Sequence, residues 1–173
     1  MIPLILVDCD NNDNNEPDPL VGNYVFSEAT FEDTVIIKIQ DAFQTFEPGS
    51  DASAFVSEGL LGAAPCADST NAAIAFRDDG KSFYICLGET NESQMGTWII
   101  NESRTVLTLY IGNPMAFALE IGNLNLTETV ISGTVENFPL PLTTAVDLGV
   151  PFGDPPTPNI QVKEVSVTFT RVE

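Results

Sequence analysis

From residue 72 onward, apolar and polar side chains alternate with a period of two, as in strands with one buried face. Residues 72–77 and 81–87 flank the turn sequence Asp78-Asp79-Gly80 and predict a β-hairpin. The alternation continues and predicts further strands at residues 96–101, 104–111, 115–121, 124–137 and 160–172. Short polar turns join most of these strands, so this part of the chain is predicted to be an antiparallel meander.

Towards the N-terminus the pattern is less regular. Residues 20–28 predict a first strand. Residues 34–46 fit either a strand or a helix, and we favour a strand followed by a turn or loop. Residues 51–61 predict a short helix, with Ser50 as its N-cap and Gly62 as its stop signal.

The number and order of these strands predict the fold class. Eight strands are counted, or nine if residues 35–40 contribute one, and no helices alternate with them. The Pro- and Gly-rich residues 138–159 are predicted to cross irregularly over one end of the fold. Short turns between successive strands favour an all-β fold, an antiparallel up-and-down barrel of about eight strands with one short helix. A two-sheet sandwich is the alternative.

The last predicted strand carries its apolar residues in two phases. Ile160 and Val162 share one phase, whereas the apolar residues within 165–169 share the other. A regular strand would turn one of these sets towards solvent. We therefore predict a bulge near residues 163–164, where one extra residue would let both sets face inward.

The charge of the chain excludes some partners. The 173 residues include 25 acidic and 6 basic side chains, for a net charge of -19. Such a charge disfavours binding to nucleic acid or to an anionic membrane surface, and it promotes solubility. No apolar run approaches the ~20 residues that a membrane-spanning helix needs. We expect a monomer that contacts no nucleic acid.

The residue types for most catalytic chemistry are missing. The chain contains no histidine, which removes the commonest general base and the imidazole ligands of typical zinc sites. It also lacks G-x-S-x-G, a phosphate-binding glycine loop and a dinucleotide fingerprint. We therefore predict that the protein is not an enzyme and uses no cofactor or metal. A glycosidase that uses two carboxylates is the remaining enzymatic alternative.

The three cysteines divide into a predicted pair and one left over. Cys66 stands just before the first strand of the 72–87 hairpin, and Cys86 stands near the end of the second strand. Paired strands bring such positions close together, so a Cys66–Cys86 disulfide is predicted, which implies an oxidising compartment. Cys9 then remains unpaired.

The surroundings of Cys9 suggest a use for it. The apolar residues 1–8 precede it, and a polar segment rich in Asp and Asn follows it over residues 10–19. The junction resembles the processing site of bacterial lipoproteins, whose cysteine becomes acylated. We expect residues 1–19 to comprise a truncated signal remnant, the lipidation site Cys9 and a disordered tether, and residues 20–173 to form one barrel domain.

Several short motifs resemble the lipocalin-like domain of bacterial lipoproteins. Gly22-Asn23-Tyr24 is similar to the lipocalin G-x-W motif, and matching segments follow at residues 60–68, 76–80, 86, 96–98 and 168–171. The resemblance implies an eight-stranded barrel, an exported lipid-anchored protein and no established catalytic residues. It also implies that Arg171 closes one end of the barrel by covering the ring of Tyr24 or Trp98; an exposed Arg171 is the alternative.

These features together favour a lipid-anchored binding protein of the bacterial cell envelope, on the outer membrane or cell surface, with a small apolar or amphipathic ligand. Its membrane contact would be only through the lipid. The first alternative is a filled barrel, a structural or interaction protein that acts through its loops. The residues predicted to line the interior are Tyr24, Phe26, Phe76, Phe83, Trp98, Leu107, Leu109, Phe117 and Phe169.

Overall fold

The computed structural model describes residues 17–39, 42–112, 117–141 and 160–173. It confirms the predicted fold class, a closed antiparallel barrel of eight strands with one short α-helix. Cys9 and most of the predicted tether lie outside the described residues. The elements in chain order are β1 (Gly22–Phe31), β2 (Val35–Ile39), β3 (Ala42–Phe46), α1 (Ser53–Leu61), β4 (Ala72–Phe76), β5 (Lys81–Cys86), β6 (Glu92–Ile100), β7 (Leu107–Ile111), β8 (Phe117–Leu126), β9 (Val130–Pro141) and β10 (Ile160–Val172).

The barrel closes through its first strand. Strands β4 to β9 each pair with the next one along the chain, and β1 lies between β10 and β4. Strands β2 and β3 form a separate two-stranded sheet. The excursion that contains β2, β3 and α1 therefore leaves the barrel after β1 and returns at β4.

That excursion covers one end of the barrel, which we call the helix end. Helix α1 buries Val56, Leu60 and Leu61. It packs closely against β9: a Cβ atom built on Gly59 would lie 3.0 Å from the Phe138 ring. The rings of Phe31, Phe46 and Phe55 pack together at this end with centroid distances of 5.4–5.9 Å. The excursion thus supplies an apolar lid to the barrel core.

The predicted loop at residues 42–46 and the predicted N-cap Ser50 are both corrected by the structure. Residues 42–46 form β3, which pairs with β2 in register from Val35 opposite Phe46. Helix α1 begins after Ala52, which makes no side-chain cap. Instead, the Asp51 carboxylate accepts a hydrogen bond from the Ser53 backbone N–H at 2.8 Å. Asp51, the first residue of the predicted helix, therefore precedes the helix.

Strand β5 has the opposite phase to the one predicted. Ile74 of β4 lies opposite Tyr84, and Tyr84 is buried in the core at 7 % exposure. Phe83, predicted to line the interior, lies instead on the outer face under the Arg77 guanidinium, 5.9 Å from the ring centroid. Strand β5 is apolar in both phases, so the register with β4, and not the alternation, decides which ring enters the core.

The predicted bulge lies on the neighbouring strand. Lys163 of β10 pairs with Phe138, but Val165 pairs with Val135, so two residues of β9 oppose Glu164. The extra residue therefore belongs to β9 at Glu136–Asn137, and β10 continues without a phase change. As a result Val162 faces outward and is 60 % exposed, whereas it had been predicted to face inward.

A second bulge replaces a predicted turn. Residues 122–123 were expected to join two strands, but β8 continues through them to Leu126. Asn123 takes a left-handed backbone conformation, with φ 50°, and the β8–β9 register shifts at this point. Gly-Asn sequences suit both turns and bulges because both need positive φ, so the sequence pattern did not separate them.

The predicted disulfide is supported by the structure. The Cys66 and Cys86 sulfur atoms lie at bonding distance, 2.11 Å, and the Cα atoms are 5.3 Å apart. Cys86, the last residue of β5, lies opposite Ala72, the first residue of β4. The segment between α1 and β4 brings Cys66 beside Cys86. The bond therefore joins the excursion to the barrel wall.

Candidate functional site

Most of the predicted lining residues meet inside the barrel. The rings of Tyr24 and Phe76 lie 5.7 Å apart, and those of Phe76 and Trp98 lie 5.8 Å apart. Phe26 and Phe169 form a second edge-to-face pair at 5.7 Å. Leu107 and Leu109 are fully buried beside them. These side chains contact one another across the interior instead of surrounding an open space.

Two other predicted lining residues lie elsewhere, and several interior residues are absent from the predicted set. Phe83 lies outside, as described, and Phe117 is 40 % exposed at the start of β8. Tyr84 and Met95 are core residues that the sequence did not indicate. Met95 was missed because the β5–β6 register shifts beside it, which changes the phase of β6 before Trp98.

Among the described core residues, the interior cavity has almost no room for a ligand. A cavity of about 10 Å³ lies inside the barrel, and its volume is that of roughly one water probe. Its lining is entirely apolar, so a water molecule there would lack partners. The lining residues are Ile74, Phe76, Leu107, Leu109, Ile121, Ile131 and Phe169.

Arg171 closes the end of the barrel opposite the helix end, which we call the arginine end. Its guanidinium lies over the Tyr24 ring, 5.4 Å from the centroid; Tyr24 is one of the two rings that Arg171 is expected to cover. It also donates hydrogen bonds to the backbone carbonyls of Pro19 at 2.9 Å, Glu128 at 3.2 Å and Val21. Burial raises the pKa of the Tyr24 hydroxyl, an effect that the Arg171 charge opposes.

Residues 17–21 form a plug across the arginine end. Leu20 is fully buried there. The Asp18 carboxylate accepts two hydrogen bonds from the Arg104 guanidinium, both at 2.8 Å, and one from the Leu20 N–H. The bonds from Arg104 hold the pKa of Asp18 below its usual value. The plug is thus fixed both to β10 and to the turn between β6 and β7.

An open cleft lies in the barrel wall, and we call it the side cleft. The β8–β9 ladder runs only from Gly122 to Leu126 on β8. Beyond Gly122, towards the helix end, the two strands separate around a cleft of about 280 Å³. Its floor includes the core residues Leu119 and Val135, and its other lining residues are Val106, Ala118, Glu120, Gly122, Thr134, Glu136 and Asn137.

The chemistry available in the described part of the chain is limited. No group of three or more Cys, Asp or Glu side chains is arranged there to hold a metal ion. Within the described ranges, no helix has the length and hydropathy to cross a membrane. Glu120 and Glu136 are the carboxylates of the side cleft, and both are exposed. This cleft therefore offers polar contacts around an apolar floor.

Comparison of the chain with protein-family models, with curated proteins and with solved structures finds no match. Function is therefore inferred from the contacts and chemistry of the residues themselves.

Proposed function

We propose that this protein is an exported, lipid-anchored, lipocalin-like barrel that acts as an interaction protein through its outer surface and loops. The observation that carries the proposal is the filled interior, where the core side chains leave a cavity of about 10 Å³. Ligand sites for small molecules usually have ~300 Å³ or more. The proposal therefore favours the filled-barrel alternative over a ligand held inside the barrel.

The contacts at both ends of the barrel also support a filled, closed interior. The plug at residues 17–21 and Arg171 occupy the arginine end, and α1 with the aromatic cluster around Phe31 occupies the helix end. Entry of a ligand would require breaking the Asp18–Arg104 pair or displacing α1. Even after such a rearrangement, a ligand would find no existing cavity to enter, because the barrel core is close-packed.

Three observations support export and anchoring. The Cys66–Cys86 disulfide fits an oxidising compartment. Cys9 leaves an odd thiol next to a polar segment, as in lipoproteins. The contact between Arg171 and Tyr24 is the one that the lipocalin resemblance implied. The net charge of -19 would keep such a domain away from an anionic bilayer, so the lipid would be its membrane contact.

A cavity-forming variant tests the filled interior. Leu109 is 1 % exposed, and Leu109→Ala should open an apolar cavity that binds benzene-sized probes. Wild-type protein should bind neither benzene, followed by NMR line broadening, nor a fluorescent fatty acid. Stoichiometric binding of the fatty acid to wild type, blocked by the filling variant Leu109→Trp, would overturn the proposal.

Fractionation tests the anchor separately. In a bacterial host that processes lipoproteins, Cys9→Ser should move the protein from the membrane to the soluble fraction, because two or more acyl chains are needed for stable anchoring. Asn11→Ser is the matched control, since it changes the same polar segment and keeps the thiol. Equal membrane distribution of both variants would count against lipidation.

A second candidate function is favoured by the side cleft. Its volume of about 280 Å³, apolar floor and polar rim suit a small amphipathic ligand. Ala118 is an exposed lining residue, so Ala118→Trp should fill the cleft and abolish ligand retention in native mass spectrometry of protein from its own host. Ala54→Trp on the exposed face of α1 is the control. Retention by both variants, or by neither, would exclude the cleft.

A further inference from the structure

Strand β3 is the exposed edge of the two-stranded β2–β3 sheet. Within the described part of the chain, β3 pairs with β2 on one side and with no strand on the other. Residues 42–45 are all exposed, so both faces of the strand are accessible. Phe43 is 73 % exposed, an unusual position for a large apolar side chain. The strand therefore offers unpaired backbone groups and an aromatic ring at the same place.

This edge lacks the usual protection against strand pairing. Edge strands commonly carry charges or prolines that prevent addition of another strand. The sequence of β3 is Ala-Phe-Gln-Thr-Phe, which has neither, in a chain with a net charge of -19. The five residues of β3 therefore leave this edge available to another strand.

The hairpin is held in place on the barrel, which prepares the edge for binding. The Gln161 side chain donates to the Ile36 carbonyl at 2.9 Å, and the Lys163 ammonium donates to the Thr34 carbonyl at 3.0 Å. Ile36 is 49 % exposed and Val162 is 60 % exposed, so apolar surface continues from β3 across β2 to β10. A strand that pairs with β3 would extend a sheet that is already ordered.

We propose that β3 pairs antiparallel with β3 of a second copy of this chain, which forms a four-stranded sheet across a two-fold axis. The register centred on Gln44 is the one that pairs all of residues 42–46. It places Phe43 opposite Thr45 of the second copy, and Ala42 opposite Phe46. The two Phe43 rings become diagonal neighbours on the outer face, within reach of each other. The proposed state is a symmetric dimer, whereas the sequence analysis expects a monomer.

Charge favours a second copy over a basic partner strand. The edge residues are all neutral, so a basic peptide would find no carboxylate on β3 to pair with. Two acidic copies repel each other, and Glu47 directly after β3 adds to this repulsion, whereas β3 itself is neutral. Association should therefore strengthen as salt screens the repulsion, whereas a complex with a basic partner would weaken.

The first experiment measures mass by sedimentation velocity at about 10–100 μM protein in low salt and in 0.5 M NaCl. Wild type should reach twice its monomer mass of 18.6 kDa in high salt. Phe43→Lys should raise the dimer dissociation constant about tenfold or more, because it removes an aromatic contact and charges the edge. Ile99→Lys is the matched control: Ile99 is 53 % exposed on the barrel wall, and the change should leave the dimer unaffected.

The second experiment tests the register by cross-linking in a Cys9→Ser background. Residues directly opposite each other in antiparallel strands have Cα atoms about 4.5–5.5 Å apart, within disulfide range. Gln44→Cys should therefore form a covalent dimer under mild oxidation. Thr45→Cys should not, because its counterpart lies diagonally across, beyond about 7 Å.

Specific outcomes would overturn the proposal. A monomer at every salt concentration would do so, as would a dimer lost in Ile99→Lys but kept in Phe43→Lys. Equal cross-linking of the Gln44→Cys and Thr45→Cys proteins would reject this register. Salt-weakened association with an added basic strand would instead assign the edge to a foreign partner. None of these results depends on the probe-binding or fractionation tests, so failure of the dimer can be recognised separately from failure of the proposed function.

Discussion

Arg171 joins three parts of the chain at the arginine end. Its guanidinium contacts the Tyr24 ring of β1 and the backbone of the 17–21 plug, and it reaches the Glu128 carbonyl in the turn before β9. Gly22 makes room for it, because a Cβ atom at that position would lie 2.7 Å from the Arg171 Nε. One cation thus donates to three backbone carbonyl groups at this end of the barrel.

Removing that cation should destabilise the protein. Arg171→Ala is expected to lower the free energy of unfolding by about 1–3 kcal/mol, since three backbone carbonyls lose a charged donor and Tyr24 loses its cation–π contact. Urea denaturation followed by tryptophan fluorescence measures this loss. Arg77→Ala is the matched control, because Arg77 lies over Phe83 and near Glu92 at the surface, and its loss should cost less than about 1 kcal/mol. Equal losses in both variants would contradict the prediction.

Ser82 is a buried polar side chain without a hydrogen-bond partner among the described residues. Its hydroxyl is fully buried on β5. Burying an unsatisfied hydroxyl costs about 1–3 kcal/mol, so Ser82→Ala should raise the melting temperature or leave it unchanged. Ser27→Ala is the control, because the Ser27 hydroxyl lies 2.6 Å from that of Thr170 at the surface. A clear loss of stability in Ser82→Ala would indicate a partner for this hydroxyl.

Asp18 should make stability depend on pH in the acid range. The Arg104 hydrogen bonds lower the pKa of Asp18 in the folded protein, so the pair stabilises fully above the unfolded-state pKa of about 3.9. This stabilisation is lost as pH falls through the lower folded pKa. Asp18→Asn should therefore cost about 1 kcal/mol at pH 7, and the difference from wild type should vanish in strong acid. Glu102→Gln, an exposed change in the same turn as Arg104, is the control; a difference from wild type that is independent of pH would refute the assignment.

At the scale of elements, the side cleft follows from two bulges. One bulge lies at Asn123, inside the β8–β9 ladder, and the other lies at Glu136–Asn137 on β9. The second bulge stands just beyond the last pair of the ladder, Gly122 with Thr134, where the two strands separate. Gly133 of β9 lies where the backbone of the β8 bulge approaches β9 most closely. A Cβ atom there would meet the Gly122 carbonyl oxygen at 2.5 Å. Glycine is therefore required by the neighbouring backbone, and not by its own φ.

Gly122 and Gly133, on the paired strands β8 and β9, allow this requirement for glycine to be tested. Gly133→Ala should lower the free energy of unfolding by about 1–3 kcal/mol, because the methyl group collides with backbone that cannot move easily. Gly122→Ala should stay within about 1 kcal/mol of wild type, since its Cβ would lie 3.7 Å from the Thr134 oxygen, an ordinary contact. Thermal denaturation of both variants measures the difference. The interpretation fails if Gly122→Ala is the more destabilised protein.

The strands could be predicted from the sequence more reliably than their phases. Alternation located β4, β7 and β10 to within a few residues. It failed at β5, where Phe83 and Tyr84 are both aromatic, and the pairing with β4 places Tyr84 inside. It also failed where bulges reset the phase, as beside Met95, because the partner strand determines a bulge.

For the molecule as a whole, the disulfide ties the excursion to the barrel. Cys66 and Cys86 are separated by 20 residues, and closing a loop of this length should stabilise the fold by about 3 kcal/mol. A protein carrying Cys66→Ala together with Cys86→Ala should lose that amount in urea denaturation, and reduction of wild type should have the same effect. Cys9→Ser should not. Free alkylation of both thiols in unreduced, folded protein would contradict the pairing.

The candidate site could be predicted only in part. The rings predicted to lie inside include Tyr24, Phe76 and Trp98, which do meet there, but also Phe83 and Phe117, which do not. The lipocalin resemblance, and not the residue pattern, implied that Arg171 covers Tyr24 or Trp98, and it covers Tyr24. The sequence did not reveal whether the rings fill the barrel, because free volume depends on strand tilt and on how side chains from all strands interlock. The side cleft was also missed, since it arises from a ladder that stops at Gly122.

The position of β1 sets the order in which the barrel can fold. Strand β1 pairs with β10, for example Asn23 with Val172, so the barrel wall cannot close until β10 has been made. Strands β4 to β9 pair with neighbours along the chain, so their contacts can develop early during synthesis. We expect closure, which brings β1 and β10 together at a large loss of chain entropy, to be a late and slow step. Until the C-terminal strand arrives, the chain carries an open sheet with unpaired edges, which is the stage most exposed to aggregation and to proteases.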